Sequence, residues 1–413
     1  MHNSLLWKKQ TLSNGLRVLT YPKPSALTAQ LAMAVEYGAN DDSDEQAGAA
    51  HFLEHLVPGG SPSRIRRSRE FERLGGVSNF FTNPEYTLCV VDITPNKFAE
   101  ASEALSSLVF DASFEEQQFS VEQRIILHEL AEVEDDPHEK INEMITQSLY
   151  QKHPIRRPTG GFKRTVRALS LSELTQIHKQ RYSPQNMILV LSGNFSEKDF
   201  SVAVGDFTRE GCQKALKKQL TRPETVHPRK TVAKTKLGLS QAYLSLGART
   251  VSSSNPDVAP LDVLNVILGV GASSRLFIEL REKRALAYSI GSAQTDGLDF
   301  GYLNVDCALK EKHTQEAEAL ILKELAKLRN ESSTEAEIAK AKDMILGDVF
   351  RGIDDAEICP EILAFMEMHF GSEKGLVDYI NEIKRVKAEN VLEVANKYLA
   401  EDEIATAILA PKD

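Results

Sequence analysis

Residues 47–60 read AGAAHFLEHLVPGG, and within them His51, Glu54 and His55 form an H-x-x-E-H pattern. On a helix, residues four apart share a face, so the two imidazoles are presented side by side to one ion. Glu54, three residues after His51, lies near that face and within reach of a water on such an ion. This is the inverse of the better-known H-E-x-x-H order, with the same mechanical content. A catalytic zinc site takes three protein ligands and leaves the fourth position to water, so two histidines demand a third ligand from elsewhere in the chain. A core helix that happens to carry histidines is the competing reading. Gly48, Ala49 and Ala50 before the pattern, and Gly59 and Gly60 after it, predict a helix packed tightly against a neighbour and ending close by.

Many carboxylates in the chain could fill the third position, and spacing alone does not choose among them. Glu122 and Glu129 are two helical turns apart and share a face that can approach the histidine helix. Glu132, Glu134 and Glu139 are rivals on spacing alone, in a run that reads as a solvated acidic face.

The elements that must hold these residues are legible from period and punctuation. TLSNGLRVLTYPKP (11–24) predicts two strands joined at Asn14-Gly15, and AQLAMAVEYGA (29–39) a strand with Leu31, Met33 and Val35 on one face. SREFERLGG is a helix closed by Gly75 and Gly76, and EYTLCVVDITP a strand running into Pro95. Helical patterns follow at 96–110 and 115–150.

A similar order returns about 210 to 220 residues later, the mark of an internal repeat. LSQAYLSLGART (239–250) resembles the strand near residue 30, and EKHTQEAEALILKELAKL the helix at 96–110. STEAEIAKAKDMILGDV resembles SFEEQQFSVEQRIILHEL, setting Ile345-Leu346-Gly347-Asp348 against Ile126-Leu127-His128-Glu129. Two copies of one α+β unit follow. TRPETVHPRK, with Pro223 and Pro228 among polar residues, is the expected linker, which puts the domains at 1–225 and 226–413.

The chain has 413 residues, 42% of them apolar and 26% charged, as in soluble globular proteins of two or three compact parts. Its formal net charge of −10 weighs against nucleic acid or an anionic membrane as principal partner and is compatible with basic peptides. No signal segment or membrane-spanning stretch is expected. Cys89, Cys212, Cys307 and Cys359 are far apart without a CxxC pair, so a cytoplasmic location is the expectation.

HFLEH, preceded by LSNGLRVLTYPKP and followed by LGGVSNFFTNPEYT, VEQRIILHELAEVEDDP, HPIRRPTGG (153–161) and GASSRLFIELREKRALAYSIGS (271–292), resembles the inverzincin family of pitrilysin, insulin-degrading enzyme and the mitochondrial processing peptidase. The stretches run in family order over nearly the whole chain. That resemblance implies two homologous domains, each an antiparallel-rich mixed sheet covered by helices on one side, together half of a clamshell chamber. In the family the third ligand is a glutamate well downstream of the second histidine, with another glutamate seven residues before it. Glu129 stands 74 residues after His55 and seven after Glu122. The resemblance therefore implies one zinc per chain on His51, His55 and Glu129, with Glu54 as general base and Glu122 as a supporting carboxylate.

The implied activity is zinc-dependent endopeptidase cleavage of unstructured peptides inside a closed chamber. SNFFTNPEYT would be the edge strand beside which substrate lies, with Asn79, Phe81 and Thr82 matching the family pattern. Phe80 stands where a small residue is usual, and Pro58 where a phenylalanine is usual; both bear on the pocket beside the scissile bond. Arg281 and Tyr288 match the pair that binds substrate and steadies the oxyanion. Larger members enclose the chamber with four such units, so a chain with two implies a homodimer, or a heterodimer with a related subunit. A catalytically silent structural or chaperone-like member, or half of a heterodimeric peptidase, is the alternative function.

Overall fold

The structure, a computed structural model, describes residues 7–111, 113–208, 218, 220, 221, 224, 228, 231–372 and 375–412. The expected linker at 221–230 and the boundary near residue 225 fall largely outside these residues, as do Cys212 and the first six positions. The chain forms two compact units: Met1–Ala131, Arg157–Gln219 and Phe350–Val377 in the first, Glu132–Arg156, Leu220–Val349 and Asp378–Asp413 in the second.

The first unit holds a six-stranded sheet in the order β1-β2-β6-β3-β5-β4. Its strands are β1 (Lys8–Thr11), β2 (Arg17–Pro22), β3 (Ala29–Val35), β4 (Val77–Thr82), β5 (Thr87–Ile93) and β6 (Met187–Gly193). Only the β2–β6 pair is parallel. The second unit holds β7 (Thr231–Lys236), β8 (Ala242–Arg249), β9 (Ala287–Asp296), β10 (Gly301–Leu309) and β11 (Ala405–Pro411), ordered β7-β11-β8-β10-β9. Strand for strand this is the sequence β2-β6-β3-β5-β4 of the first sheet, again with a single parallel pair, β7–β11. The repeat expected from the sequence is thus a repeat of topology, and the fold is mixed α+β with two related sheets.

Leu31, Met33 and Val35 enter the core beneath helices α1 (Ala49–Gly59), α2 (Pro62–Arg73), α3 (Phe98–Phe110) and α4 (Glu116–Asp135). The alternate residues Gln30, Ala32 and Ala34 are buried as well, so a second layer covers the opposite face of β3. The helix Ile358–Phe370 from the second half of the chain packs there, on β3 and β6. Its buried Glu367 pairs with Lys9 at 2.6 Å, and its Glu361 accepts from the Tyr86 hydroxyl at 2.6 Å.

The second unit shows the reciprocal arrangement. Helix α5 (Pro137–Leu149), from the first half of the chain, packs on β8 and β11, with Ile141, Met144, Ile145 and Leu149 in one apolar cluster with Tyr243 and Ala407. The helical pattern at 115–150 is two helices, Glu116–Asp135 and Pro137–Leu149. Pro137 has no N–H to continue α4, and the Asp136 carboxylate caps α5 by accepting from the His138 amide at 2.8 Å.

Candidate metal centre

Helix α1 sorts its residues by face. Ala49, Ala50, Phe52, Leu53, Leu56 and Val57 are buried in the core. His51, Glu54, His55 and Pro58, at i, i+3, i+4 and i+7, are half-buried along the remaining stripe. The helix is thus a core helix on most of its surface and a chemical surface on one.

Both ends of α1 are pinned. Gly48 starts it at φ +99°, a left-handed conformation that a side chain would strain. The buried Asp42 carboxylate accepts from the Gly48 amide at 2.9 Å, the Ala50 amide at 3.4 Å and the Tyr37 hydroxyl at 2.5 Å. Burial pushes the Asp42 carboxyl up to about 7, and those donors oppose the rise. Arg157 donates to the Asp42 and Ala39 carbonyls and to the Asp44 carboxylate, and the Thr165 hydroxyl donates to the Ala47 carbonyl at 2.6 Å. At the other end, Pro58 lacks the N–H that would bond the Glu54 carbonyl. The buried Arg64 takes over the helix terminus, donating to the carbonyls of Val57 at 2.7 Å and Leu56 at 3.1 Å, and to Leu108 of α3.

Helix α4 brings Glu122 and Glu129 to the half-buried stripe of α1. Gly59 leaves room for the Glu122 carboxylate, since a β-carbon there would lie 2.4 Å from its Oε1. Ligand atoms of His51, His55 and Glu129 all fall within 4.8 Å of one another. The Glu129 Oε2 is 3.3 Å from the His55 Nε2 and 3.8 Å from the His51 Nε2. Two ligands on a tetrahedral zinc with bonds of about 2.0 to 2.1 Å stand about 3.3 to 3.4 Å apart, so this donor set suits that ion. Among the described residues no other group of His, Cys, Asp and Glu is so placed. Glu132, Glu134 and Glu139 are exposed and outside it.

Protonation states follow from the surroundings. Burial, helped by neighbouring His55, lowers the His51 pKa to about 4, which keeps the imidazole neutral as a metal ligand must be. For His55, burial disfavours the charge, but the Glu122 hydrogen bond and the Glu129 and Glu54 carboxylates outweigh it and raise the pKa. The Glu122 Oε2 lies 3.3 Å from the His55 Nδ1. A carboxylate there makes Nδ1 the donor and leaves the Nε2 lone pair facing Glu129. Glu54 is outside the ligand group. The Thr82 hydroxyl, from β4, donates to its Oε2 at 2.8 Å, and burial pushes its carboxyl up to about 7 against that bond.

Strand β4 is outermost in its sheet and, among the described residues, pairs only with β5. Asn79 on it is exposed, Phe80 and Phe81 are half-buried, and Thr82 is engaged with Glu54. Arg281 lies in the second unit on a π-helical turn, Phe277–Glu282, with its guanidinium 5.2 Å from the centre of the Phe277 ring. Tyr288 is on β9, the outermost strand of the second sheet, and is 52% exposed. Sequence reasoning missed Asp42, Tyr37, Arg64, Arg157 and Thr165. Arg157 lies in the quoted HPIRRPTGG stretch, but nothing local marks it as a partner of α1.

Residues 17–162 match the family described as Insulinase (Peptidase family M16), and residues 168–345 match the Peptidase M16 inactive domain. An uncharacterized zinc protease of Mycobacterium leprae is 30% identical over 98% of this chain and 91% of its own length. A probable mitochondrial-processing peptidase subunit beta of Arabidopsis thaliana is 26% identical over 99% of this chain and 80% of its own. The crystal structure of a protease from Helicobacter pylori superimposes with a TM-score of 0.90 at 23% identity, covering 98% of this chain and 99% of that one. No helix among the described residues is long and apolar enough to cross a membrane.

Proposed function

The chain belongs to the M16 peptidase family, and from that premise we propose that it is a zinc-dependent endopeptidase acting on unstructured peptides. His51, His55 and Glu129 hold one zinc per chain, Glu54 is the general base, and Glu122 orients His55. The observation that carries this reading is the meeting of three ligand atoms within 4.8 Å beside a half-buried, unligated carboxylate. A zinc ion held there supplies Lewis-acid polarisation of the scissile carbonyl and acidifies water.

Glu54 moves the proton. Thr82 occupies its Oε2, leaving Oε1 to take the proton of the attacking water and return it to the departing amine. The unpaired edge of β4 receives the substrate backbone as an added strand, with Asn79 and Phe81 beside it, which selects extended rather than folded chains. Arg281 and Tyr288 donate to the developing oxyanion. The two repeated halves, 1–225 and 226–413, make one subunit of a homodimeric chamber. The convergence of all three ligands supports this reading over a catalytically silent member.

The purified chain should bind about one zinc and cleave an unstructured peptide library, with cleavage abolished by a chelator and restored by zinc. Full zinc occupancy without hydrolysis would instead favour the silent role.

Assembly has its own expected result. Tyr288→Phe removes one oxyanion donor and should lower turnover by about 10² to 10³ with zinc content unchanged. Mixing Glu54→Gln chains with Tyr288→Phe chains should restore part of the activity, because one arrangement of the mixed dimer combines an intact zinc site with an intact Arg281/Tyr288 pair. Mass labelling reports subunit exchange separately. Exchange without recovery would mean that both sets act within one chain or that Tyr288 is structural.

A further inference from the structure

Ile65, Ser68 and Arg69 lie at i, i+3 and i+4 along α2 and turn one face of that helix toward a cleft of about 360 Å³. The cleft borders Glu54 and His55, so a residue beside a scissile bond held at the metal centre would enter it. Ile65, Pro58 and Phe80 give it an apolar wall, and Arg69 is its only cation among the described lining residues.

Of the five arginines on α2, Arg69 alone lines the cleft. On the same helix, Arg64 is bonded to backbone carbonyls, Arg67 pairs with Glu103 at 3.3 Å and Arg73 with Glu70 at 3.2 Å. Arg66, which lies off the cleft, and Arg69, which lines it, make no hydrogen bond or ion pair among the described residues. The two carboxylates that share the cleft are engaged elsewhere, Glu122 on His55 and Glu54 on Thr82. The cleft therefore offers an apolar wall and an uncompensated guanidinium, with hydrogen-bond donors in a planar fork. A carboxylate on a short methylene stem satisfies both.

We propose that Arg69 makes this cleft select peptides that carry an acidic side chain beside the scissile bond. The proposal rests on the peptidase reading above and supplies its substrate preference. The chain's overall charge of −10 acts on the approach of a whole peptide, whereas Arg69 acts on one residue of it.

The test uses pairs of unstructured peptides that differ only by Glu or Gln on one side of the cleaved bond, and then on the other. For the wild-type protein, kcat/KM should favour the Glu peptide at one of the two positions by about ten-fold, the lower end for a charge-assisted pair because Arg69 is exposed. That preference should shrink as potassium chloride is raised. Arg69→Ala should bring the ratio to about one, and Arg69→Glu should reverse it in favour of a Lys peptide, with zinc content equal in all three proteins. A ratio near one in the wild type, or a preference that survives in Arg69→Ala, overturns the proposal. If the zinc-loaded wild type cleaves none of the peptides, the peptidase reading fails, and fluorescence anisotropy of the same pairs still decides the role of Arg69. Tighter binding of the Glu peptide that is lost in Arg69→Ala upholds it, and equal binding of both peptides overturns it.

Discussion

Replacing Glu54 by Gln is expected to leave the zinc content of the protein intact and to lower turnover by about 10² to 10⁴, the range for loss of a positioned general base. The substitution is close to isosteric, and an amide oxygen still accepts the Thr82 hydroxyl, so the side chain keeps its place. What disappears is a group able to carry a proton between water and amine. Because this loss falls on the transition state and not on substrate binding, kcat and kcat/KM should fall together. Zinc measured by inductively coupled plasma mass spectrometry, alongside steady-state rates on one peptide, checks both halves. Wild-type turnover would sink the assigned mechanism. Loss of zinc would move Glu54 into the ligand set.

The second large effect separates the carboxylates of α4. Glu129→Gln should abolish tight zinc binding, whereas Glu122→Gln should weaken it by about 10 to 100-fold, as changes to a ligand's hydrogen-bond partner do. Glu129 places one oxygen 3.3 Å from the His55 Nε2 and 3.8 Å from the His51 Nε2, and its negative charge is the only one contributed directly by the three ligands. An amide there retains an oxygen but leaves a doubly charged cation with two neutral imidazoles. Glu122 meets His55 at the opposite nitrogen, so its loss frees the ring to turn and makes it less basic without removing a ligand. Competition with a zinc chelator of known affinity measures both. Small, equal effects from the two variants, with a large one from Glu132→Gln, would transfer the ligand role to Glu132.

Much of the site is local and therefore legible in the linear chain. The spacing of His51, Glu54 and His55 puts them on one stripe of any helix, and the seven-residue step from Glu122 to Glu129 does the same on α4. Alternation and turn residues mark β2, β3 and β5, and the second copy of these patterns foretold the second sheet. The break at Asp136-Pro137 was also present in the sequence, as a capping residue before a proline.

Tertiary structure decided the rest, because it concerns groups far apart in the chain. Which of five carboxylates approaches His51 and His55 depends on how α4 lies against α1, where Gly59 leaves room for the Glu122 carboxylate. The Thr82 hydroxyl reaches Glu54 only because β4 closes the sheet beside α1, across 28 positions of sequence. Asp42 and Arg64 hold the two ends of α1 through backbone groups that any sequence would offer, and Arg157 braces the Asp42 loop from a third segment. The two faces of each sheet are covered through an exchange of helices, α5 into the second unit and Ile358–Phe370 into the first. Periodicity states that such a helix has an apolar face; only packing chooses the sheet against which that face is buried.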